Sequence, residues 1–454
     1  MIPLDATTIA QHAGGELVAG SGGVLATAAS TDTRTIPQGA VFFALRGERF
    51  DANEFAPQAL AAGASVAVVE RWEGECPANT AVIRVPDSLA ALQRLAAWYR
   101  RQRDIPVLGI TGSNGKTSTK DFTLAVMARA FEVCANRGNL NNHIGLPLSV
   151  LTIEERHQIG IFEMGMNHPG EIAPLCEIAR PKLGIITNIG SAHIEFMGSR
   201  EGIAEEKGAL ARALPEDGAL FVPAGCDFLE YFKRRTKARV IAVGNGRGLV
   251  RAEDLRQEES FACFNLVIEG SSVEVRLPVA GRHMVNNALL AAGAGWFMGI
   301  SPEEIAAGLS EAVLTSGRLR RFTTAGITII DDTYNANPES MLAALETLAE
   351  TPVAEGGTRY AMLGRMGELG PLAPQAHLEA GQRAADRGFT VVAVGEGSQG
   401  IAEGAAGAAE YISDKEAAAA WIAERAKPGD VVLFKGSRSA ALERVMNQAF
   451  PSRD

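Results

Sequence analysis

The chain has 454 residues, 46% of them apolar, and a net charge of −10; domains usually run roughly 100–200 residues, so two or three are expected. Acid and base are interleaved without a Lys/Arg stripe, which argues against a nucleic-acid partner. No stretch reaches the roughly 18 apolar residues of a membrane helix, the opening MIPLDATTIAQHAGG lacks a signal-peptide pattern, and five scattered cysteines read as reduced, so a cytoplasmic protein is expected.

In chain order, the apolar runs at 41–45 and 65–69 read as buried strands, with a helical stretch at 55–62 between them. Residues 88–103 are amphipathic: Leu92, Leu95, Ala96 and Tyr99 share one face, and Ser88 is the expected N-cap. The polar RRQRD and Pro106 close that helix and place a boundary near residue 104. A strand at 106–110, a glycine-rich turn and a helix at 117–130 follow, with further strands at 159–162 and 183–186. Strands alternating with helices imply a parallel sheet covered on both faces. Residues 261–277 suit a β-hairpin, and 286–298 an apolar helix. After a second boundary near 316, strands at 327–330, 360–363, 391–394 and 431–434 alternate with helical stretches, as in a small doubly wound domain.

The turn Gly112, Ser113, Asn114, Gly115, Lys116 and Thr117 carries the strongest chemical signal. Glycines let backbone N–H groups converge on phosphate oxygens, and the following helix adds its positive end. Lys116 is placed to reach the outer phosphates and the Thr117 hydroxyl to ligate Mg²⁺. The pattern is GxxGKT, shorter than the usual loop, because Ile110 stands where the first glycine belongs.

Glu163 ends an apolar strand near this loop, where a Mg²⁺ ligand would sit; the alternative is a capping glutamate. His193 lies just past the strand read at 183–188, a similar position. His12, His143, His157, His168, His283 and His377 read as structural, and Lys207 on its own reads as a solvated helix lysine. Asp331, Asp332, Thr333, Tyr334, Asn335, Ala336, Asn337 and Pro338 form a polar constellation after the strand at 327–330. Arg318, Arg320 and Arg321 precede it, and Lys435, Gly436, Ser437, Arg438 and Ser439 make a second basic loop, suited either to an anion or to capping a helix.

Together these motifs resemble the Mur ligase family, the ATP-dependent amide-forming enzymes of bacterial peptidoglycan synthesis. The resemblance spans essentially the whole chain: GSNGKT, NLNNHIGLP from Asn139, EMGMNH from Glu163, AHIE from Ala192, Lys207, GRH from Gly281, DDTYNANP from Asp331 and KGSRS from Lys435. Within the family, TDTR from Thr31 and VFFALRGERFD from Val41 resemble the branch that adds D-alanyl-D-alanine to UDP-N-acetylmuramoyl-tripeptide. The resemblance implies an α/β protein of three domains: a small UDP-sugar-binding domain (1–103), a central P-loop-type parallel-sheet ATPase domain (104–315) and a C-terminal Rossmann-like domain (316–454).

It also implies roles. Thr117, Glu163 and His193 become expected ligands of two Mg²⁺ ions, and Lys207 aligns with a carbamylated lysine whose added carboxylate helps hold the second metal. Asn287, Arg318 and Asp332 align with groups that contact adenine, ribose or phosphates. Thr31 and Thr33 align with uridine-side contacts, and Arg34, Gly47, Asn139, Asn335, Asn337, Lys435, Ser437 and Arg438 join them as expected substrate-binding residues. Lys116, Asn142, His193 and Lys207 are the expected catalytic group, with Asn142 and His193 on the γ-phosphate side. Two positions depart from the pattern: Met284 stands where the family commonly has an adenine-reading Asn, with Asn286 nearby, and Arg365 replaces an acid.

The implied reaction activates the tripeptide carboxylate with ATP as an acyl phosphate, which the dipeptide amine then attacks. A monomer is expected. Two rivals stand beside it: a folate polyglutamate ligase, against which the first hundred residues argue, and a non-catalytic nucleotide-binding protein, against which Lys116, Glu163, His193 and Lys207 argue.

Overall fold

The structure is a computed structural model that describes residues 1–47, 50–258, 261–315, 317–407 and 409–451. Glu48 and Arg49, part of the VFFALRGERFD segment, lie outside the described residues. Three large sheets follow one another along the chain.

The first has five strands in the order Glu16–Gly20, Ala81–Arg84, Ala64–Val69, Ala40–Phe43, Ala28–Ser30, all pairs parallel except the first. The inner strands are buried along most of their length, as their largely apolar sequences require. The helix Ser88–Arg101 follows, and its true cap is Asp87, whose carboxylate accepts from Ala90 N at 2.9 Å; the Ser88 hydroxyl is buried instead. Either residue can cap, so the sequence misplaced the start by one position. Its apolar face carries Leu92, Leu95, Ala96 and Tyr99 into a core that also takes in Val107, Leu146 and Ile153 of the next unit. Tyr99 is the bolt of this joint: its hydroxyl accepts from Ile2 N at 2.8 Å and donates to Ile153 O at 2.5 Å.

The central sheet has nine strands. From Val133–Ala135 at one edge, through Ile159–Glu163, Val107–Thr111, Leu183–Ile186, Ala219–Pro223 and Arg239–Asn245 to Val250–Gln257, all pairs are parallel. The hairpin Ala262–Ile268 and Ser271–Leu277 then completes the other edge antiparallel, as the 261–277 pattern suggested. Val107–Thr111 sits between Ile159–Glu163 and Leu183–Ile186, so the connections leaving its carboxyl end diverge to opposite sides and open a crevice there. The helix Lys116–Met127 starts in that crevice and packs with the apolar helix Arg282–Phe297.

The third sheet has six strands in the order Arg320–Thr324, Ile327–Asp332, Val431–Lys435, Arg359–Gly364, Thr390–Val394, Ala409–Ile412. Only its first pair is antiparallel. The strand at 327 runs two residues further than its apolar run, so Asp331 and Asp332 are strand residues rather than part of the turn. Pairing with Phe434 and Lys435 on the neighbouring strand extends the ladder past the apolar residues.

Candidate active site

Gly112 and Gly115 shape the phosphate loop. Gly112 has φ +149°, and a Cβ there would lie 1.8 Å from Thr187 Oγ1. Gly115 is left-handed and stands at the cap position of Lys116–Met127 with no side chain to cap the helix. The strand end beside the loop braces it: Asn188 accepts from Asn114 N at 2.9 Å, Thr187 donates to Asn114 O at 2.5 Å, and Ser113 Oγ accepts from Gly190 N at 2.9 Å. Thr187, Asn188 and Gly190 carried no signal in the sequence beyond following a strand.

Behind the loop, the Thr117 hydroxyl donates to Glu163 at 2.8 Å, and Asn141 Nδ2 donates to the other oxygen of the same carboxylate at 2.7 Å. Asn136 fixes the Glu163 backbone through both its amide groups, at 3.0 and 3.1 Å. Lys116 bends back, its Nζ 2.8 Å from Gly112 O. Burial lowers the pKa of this amine, and the charge of Arg318 adds to that, while Glu163 opposes it. Lys207 is 1% exposed, so the solvated reading is corrected: its helix, Arg200–Ala213, turns it inward. Burial takes its pKa well below the ordinary range, and the nearby charge of Lys116 works in the same direction. One turn beyond Thr117, Lys120 is buried and donates to Asn136 O at 3.0 Å and Gly138 O at 3.2 Å. It thereby ties the phosphate-loop helix to the segment that carries Asn139, Asn141 and Asn142.

Lys116, Thr117, Glu163 and Lys207 are therefore gathered together. His193 is placed differently. It lies past the end of Leu183–Ile186 in a left-handed conformation, φ 63°, and its Nδ1 is 2.5 Å from Glu368 of the third unit, off the line of an ideal hydrogen bond. That contact holds the Glu368 carboxyl below its ordinary pKa. The side-chain oxygen of Asn142 accepts from Gly145 N at 2.8 Å, at the start of the helix Gly145–Val150, while its neighbour Asn141 touches Glu163. Asn139 is exposed, and its carbonyl accepts from Asn141 N.

Beside the loop lies a cleft of about 440 Å³, lined among others by Asn114, Gly115, Arg247, His283, Asn286 and Asn287. Met284 is 3% exposed and faces the core, its sulfur 3.8 Å from Asn287 Nδ2. Asn286, two residues along the helix, faces the cleft. His283, read from the sequence as structural, also lines it; burial drops its pKa to about 4, opposed by Asp332 and reinforced by Lys435.

The third unit closes over these groups. Asn337 caps the helix Pro338–Glu350, and its Nδ2 donates to Asn114 Oδ1 at 2.6 Å. Glu339 accepts from Ser191 N and Oγ at 2.9 and 3.0 Å. Lys435 is 1% exposed and donates to Asp332 at 2.5 Å and Asn335 O at 3.0 Å. The Arg318 guanidinium lies 4.2 Å over the Tyr334 ring. Ser437 is buried and within 3.2 Å of Ser439, which accepts from Arg365 at 2.9 Å; Arg438 pairs with Glu443 instead, at 3.3 Å. Glu339 and Glu368 were missed in the sequence, because a glutamate in the first turn of a helix or on a loop looks the same whether or not another unit docks on it.

In the first unit, Asp32 caps the turn Thr33–Thr35 and pairs with Arg34 at 2.6 Å, a hydrogen bond that takes its pKa to about 2. Thr31 and Thr33 are half-buried and Gly47 is exposed. Among the described residues, Thr31, Thr33, Arg34 and Gly47 make no hydrogen bond or ion pair with the phosphate loop.

The oxygen donors Thr117 and Glu163 suit a small hard cation, which commonly takes one or two carboxylates and completes its shell with phosphates and water. Among the described residues, no three His, Cys, Asp or Glu side chains converge as a metal cage.

Comparison with known proteins supports the whole-chain resemblance. Residues 27–100 match the family pattern described as "Mur ligase family, catalytic domain", 110–295 "Mur ligase middle domain" and 317–438 "Mur ligase, glutamate ligase domain". A UDP-N-acetylmuramoyl-tripeptide–D-alanyl-D-alanine ligase of Bacillus subtilis is 40% identical over 93% of each chain. A crystal structure of MurF from Acinetobacter baumannii superposes with a TM-score of 0.90 at 34% identity, covering 99% of each chain. A MurF ligase from Thermotoga maritima, solved in complex with ADP, gives 0.83 at 29% identity over 93% of this chain and 96% of its own.

Proposed function

This chain belongs to the Mur ligase family, and from that premise we propose that it joins D-alanyl-D-alanine to UDP-N-acetylmuramoyl-tripeptide at the expense of ATP. The observation that carries this reading is the junction itself. A glycine loop backed by Thr117, Glu163 and Lys207 is covered by Asn337, Glu339 and Glu368 of the third unit. Residues 1–103 hold the UDP-sugar, with Thr31, Thr33, Arg34 and Gly47 on the uridine side. Residues 104–315 hold the nucleotide, and 316–454 bring the dipeptide.

A carboxylate is a poor electrophile at neutral pH. Its oxygen attacks the γ-phosphorus in line, the bond to the β-phosphate oxygen breaks, and ADP leaves behind an acyl phosphate. The free amine of the dipeptide then attacks the acyl carbon, the C–O bond to phosphate breaks, and the amide forms with release of phosphate and a proton. Lys116 and Arg318 supply positive charge to the phosphates, and Asn286, Asn287 and His283 line the nucleotide cleft. In this reading Asn335, Lys435 and Ser437 serve the substrate from the third unit. Closure excludes the water that would hydrolyse the acyl phosphate.

Thr117 and Glu163 would hold one Mg²⁺, and His193 with Lys207 a second. When bound, the metal supplies Lewis-acid stabilisation of phosphate charge. Lys207 fits this role only as a carbamate. Its neutral amine adds to the carbon of CO₂ and loses a proton, which turns a buried cation into a carboxylate. Burial next to Lys116 supports that chemistry, because it disfavours the ammonium form. The reading includes a cytoplasmic monomer; in support, all five cysteines are free, and among the described residues no helix is long and apolar enough to cross a membrane.

The test is ADP release by the purified protein. It should require ATP, the UDP-tripeptide and D-alanyl-D-alanine together; equal turnover without the dipeptide would remove the ligase reading.

A further inference from the structure

A second cleft lies at the opposite end of the central sheet. It is bounded by Asp104, Ile105 and Pro106, just before the strand Val107–Thr111, and by Lys182, just before Leu183–Ile186. The phosphate loop follows the other end of the same strand, roughly 15 Å away at about 3.3 Å per residue. The two clefts are therefore separate, and ligands that react at an open α/β sheet occupy the carboxyl end of its strands, not this end.

The second cleft encloses about 740 Å³ and is lined by five basic side chains against two acidic ones, in a chain whose net charge is −10. Arg100 is the brace rather than a ligand. It is buried and donates to Ala179 O at 2.8 Å, Arg103 O at 2.5 Å and Ile105 O at 2.8 Å, fixing the walls. Lys182 is matched by Asp217 at 2.7 Å. Arg101, Arg103 and Arg180 remain. Among the described residues, none of the three has a carboxylate partner, and the Nε of Arg103 is buried without an acceptor while its guanidinium lies 5.4 Å over the Tyr99 ring. Holding like charges together costs free energy that an anion between them would recover. The crowding is felt by Arg100, whose pKa falls to about 10 through burial and then the charge of Arg180.

We propose that this cleft is a binding site for a multivalent phosphate anion, held by Arg101, Arg103 and Arg180. Guanidinium groups meet phosphate oxygens through two parallel N–H bonds, a geometry that ammonium groups lack. Phe297 and Met298 give the cleft an apolar side, so a nucleotide phosphate tail and inorganic polyphosphate are both sources of the same chemistry. The site joins the helix Ser88–Arg101 of the first unit to the central sheet. Occupancy therefore stiffens the joint that carries the UDP-sugar domain, without touching the reaction.

The experiment is calorimetric titration of inorganic tripolyphosphate into the full chain saturated with ADP, with a parallel arm using cytidine triphosphate. One saturable event is expected. It should weaken by roughly tenfold or more in the Arg101→Gln/Arg180→Gln variant, while ADP binding in that variant stays unchanged. Arg101 is exposed, so Arg101→Gln alone provides a folded variant if the double change does not fold, and it should weaken binding in the same direction. Tighter binding of cytidine triphosphate than tripolyphosphate would assign the source to nucleotides, and the reverse to inorganic polyphosphate. No saturable tripolyphosphate binding beside ADP, or equal affinity in the variants, would overturn the proposal.

Discussion

At the scale of single residues, Glu163 concentrates the most consequences. It is 2% exposed and engages Thr117, Asn141 and Asn136. Glu163→Gln keeps its shape and removes its charge. The variant should lose roughly 100-fold or more in kcat for ADP release while its Tm moves little, because the carboxylate's proposed part is to hold the Mg²⁺ that offsets charge developing in the transition state. Lys207→Ala should abolish turnover, and small carboxylic acids added to the assay should partly restore it if a carbamate carboxylate is what the wild type supplies; failure of every acid to rescue would count against the carbamate. His283 yields a prediction about pH. Its pKa in the folded state is about 4, below the roughly 6.5 of an unfolded histidine. Between those values the unfolded chain binds the proton and the folded one does not, so stability falls as pH drops from about 6.5 towards 4. Thermal melts from pH 7 to pH 4.5 should show that loss, and His283→Gln should reduce it.

At the scale of elements, the loop and its helix were readable because each carries a local physical necessity. Gly112 must be glycine, since its φ of +149° and the Thr187 hydroxyl leave no room for a Cβ. Gly112→Ala should therefore cost about 1–3 kcal/mol of stability, measured by denaturant melts, and should weaken ADP binding with it. Strands such as Val107–Thr111 and Ile159–Glu163 were equally legible, being buried along their length and free of polar side chains up to their last residue. What the sequence concealed was orientation. Nothing local to Lys207 says that its helix presents it inward, and nothing local to Met284 says that it faces the core while Asn286 takes the cleft. Nor does anything local separate Asn141, whose amide reaches Glu163, from Asn142, whose side-chain oxygen accepts from Gly145 N at the start of Gly145–Val150.

At the scale of the whole molecule, the third unit reaches the loop through the polar contact of Asn337 with Asn114, and Glu339 and Glu368 dock beside it on Ser191 and His193. Asn337 serves both as helix cap and as partner of Asn114. Asn337→Ser retains a capping side chain but cannot reach Asn114. Combined with Glu339→Ala, it should raise KM for ATP several-fold and lower kcat, and small-angle scattering with ADP present should show a larger radius of gyration than the wild type. An unchanged radius with unchanged kinetics would mean that these contacts do not govern closure. The docking residues Glu339 and Glu368 are illegible in sequence for the same reason that they matter here: they mean something only once two units meet.

Lys120 has one more consequence. Its ammonium hangs the backbone at Asn136 and Gly138 from the helix that begins at Lys116, so the wall beside Glu163 and the floor beneath the phosphates travel as one stiff bracket. An inhibitor seated against that wall would meet a surface that does not yield. Prying it loose would strand the Asn136 carbonyl and a charge in the dry interior, so compounds selected there should succeed by matching a fixed contour rather than by opening a new one.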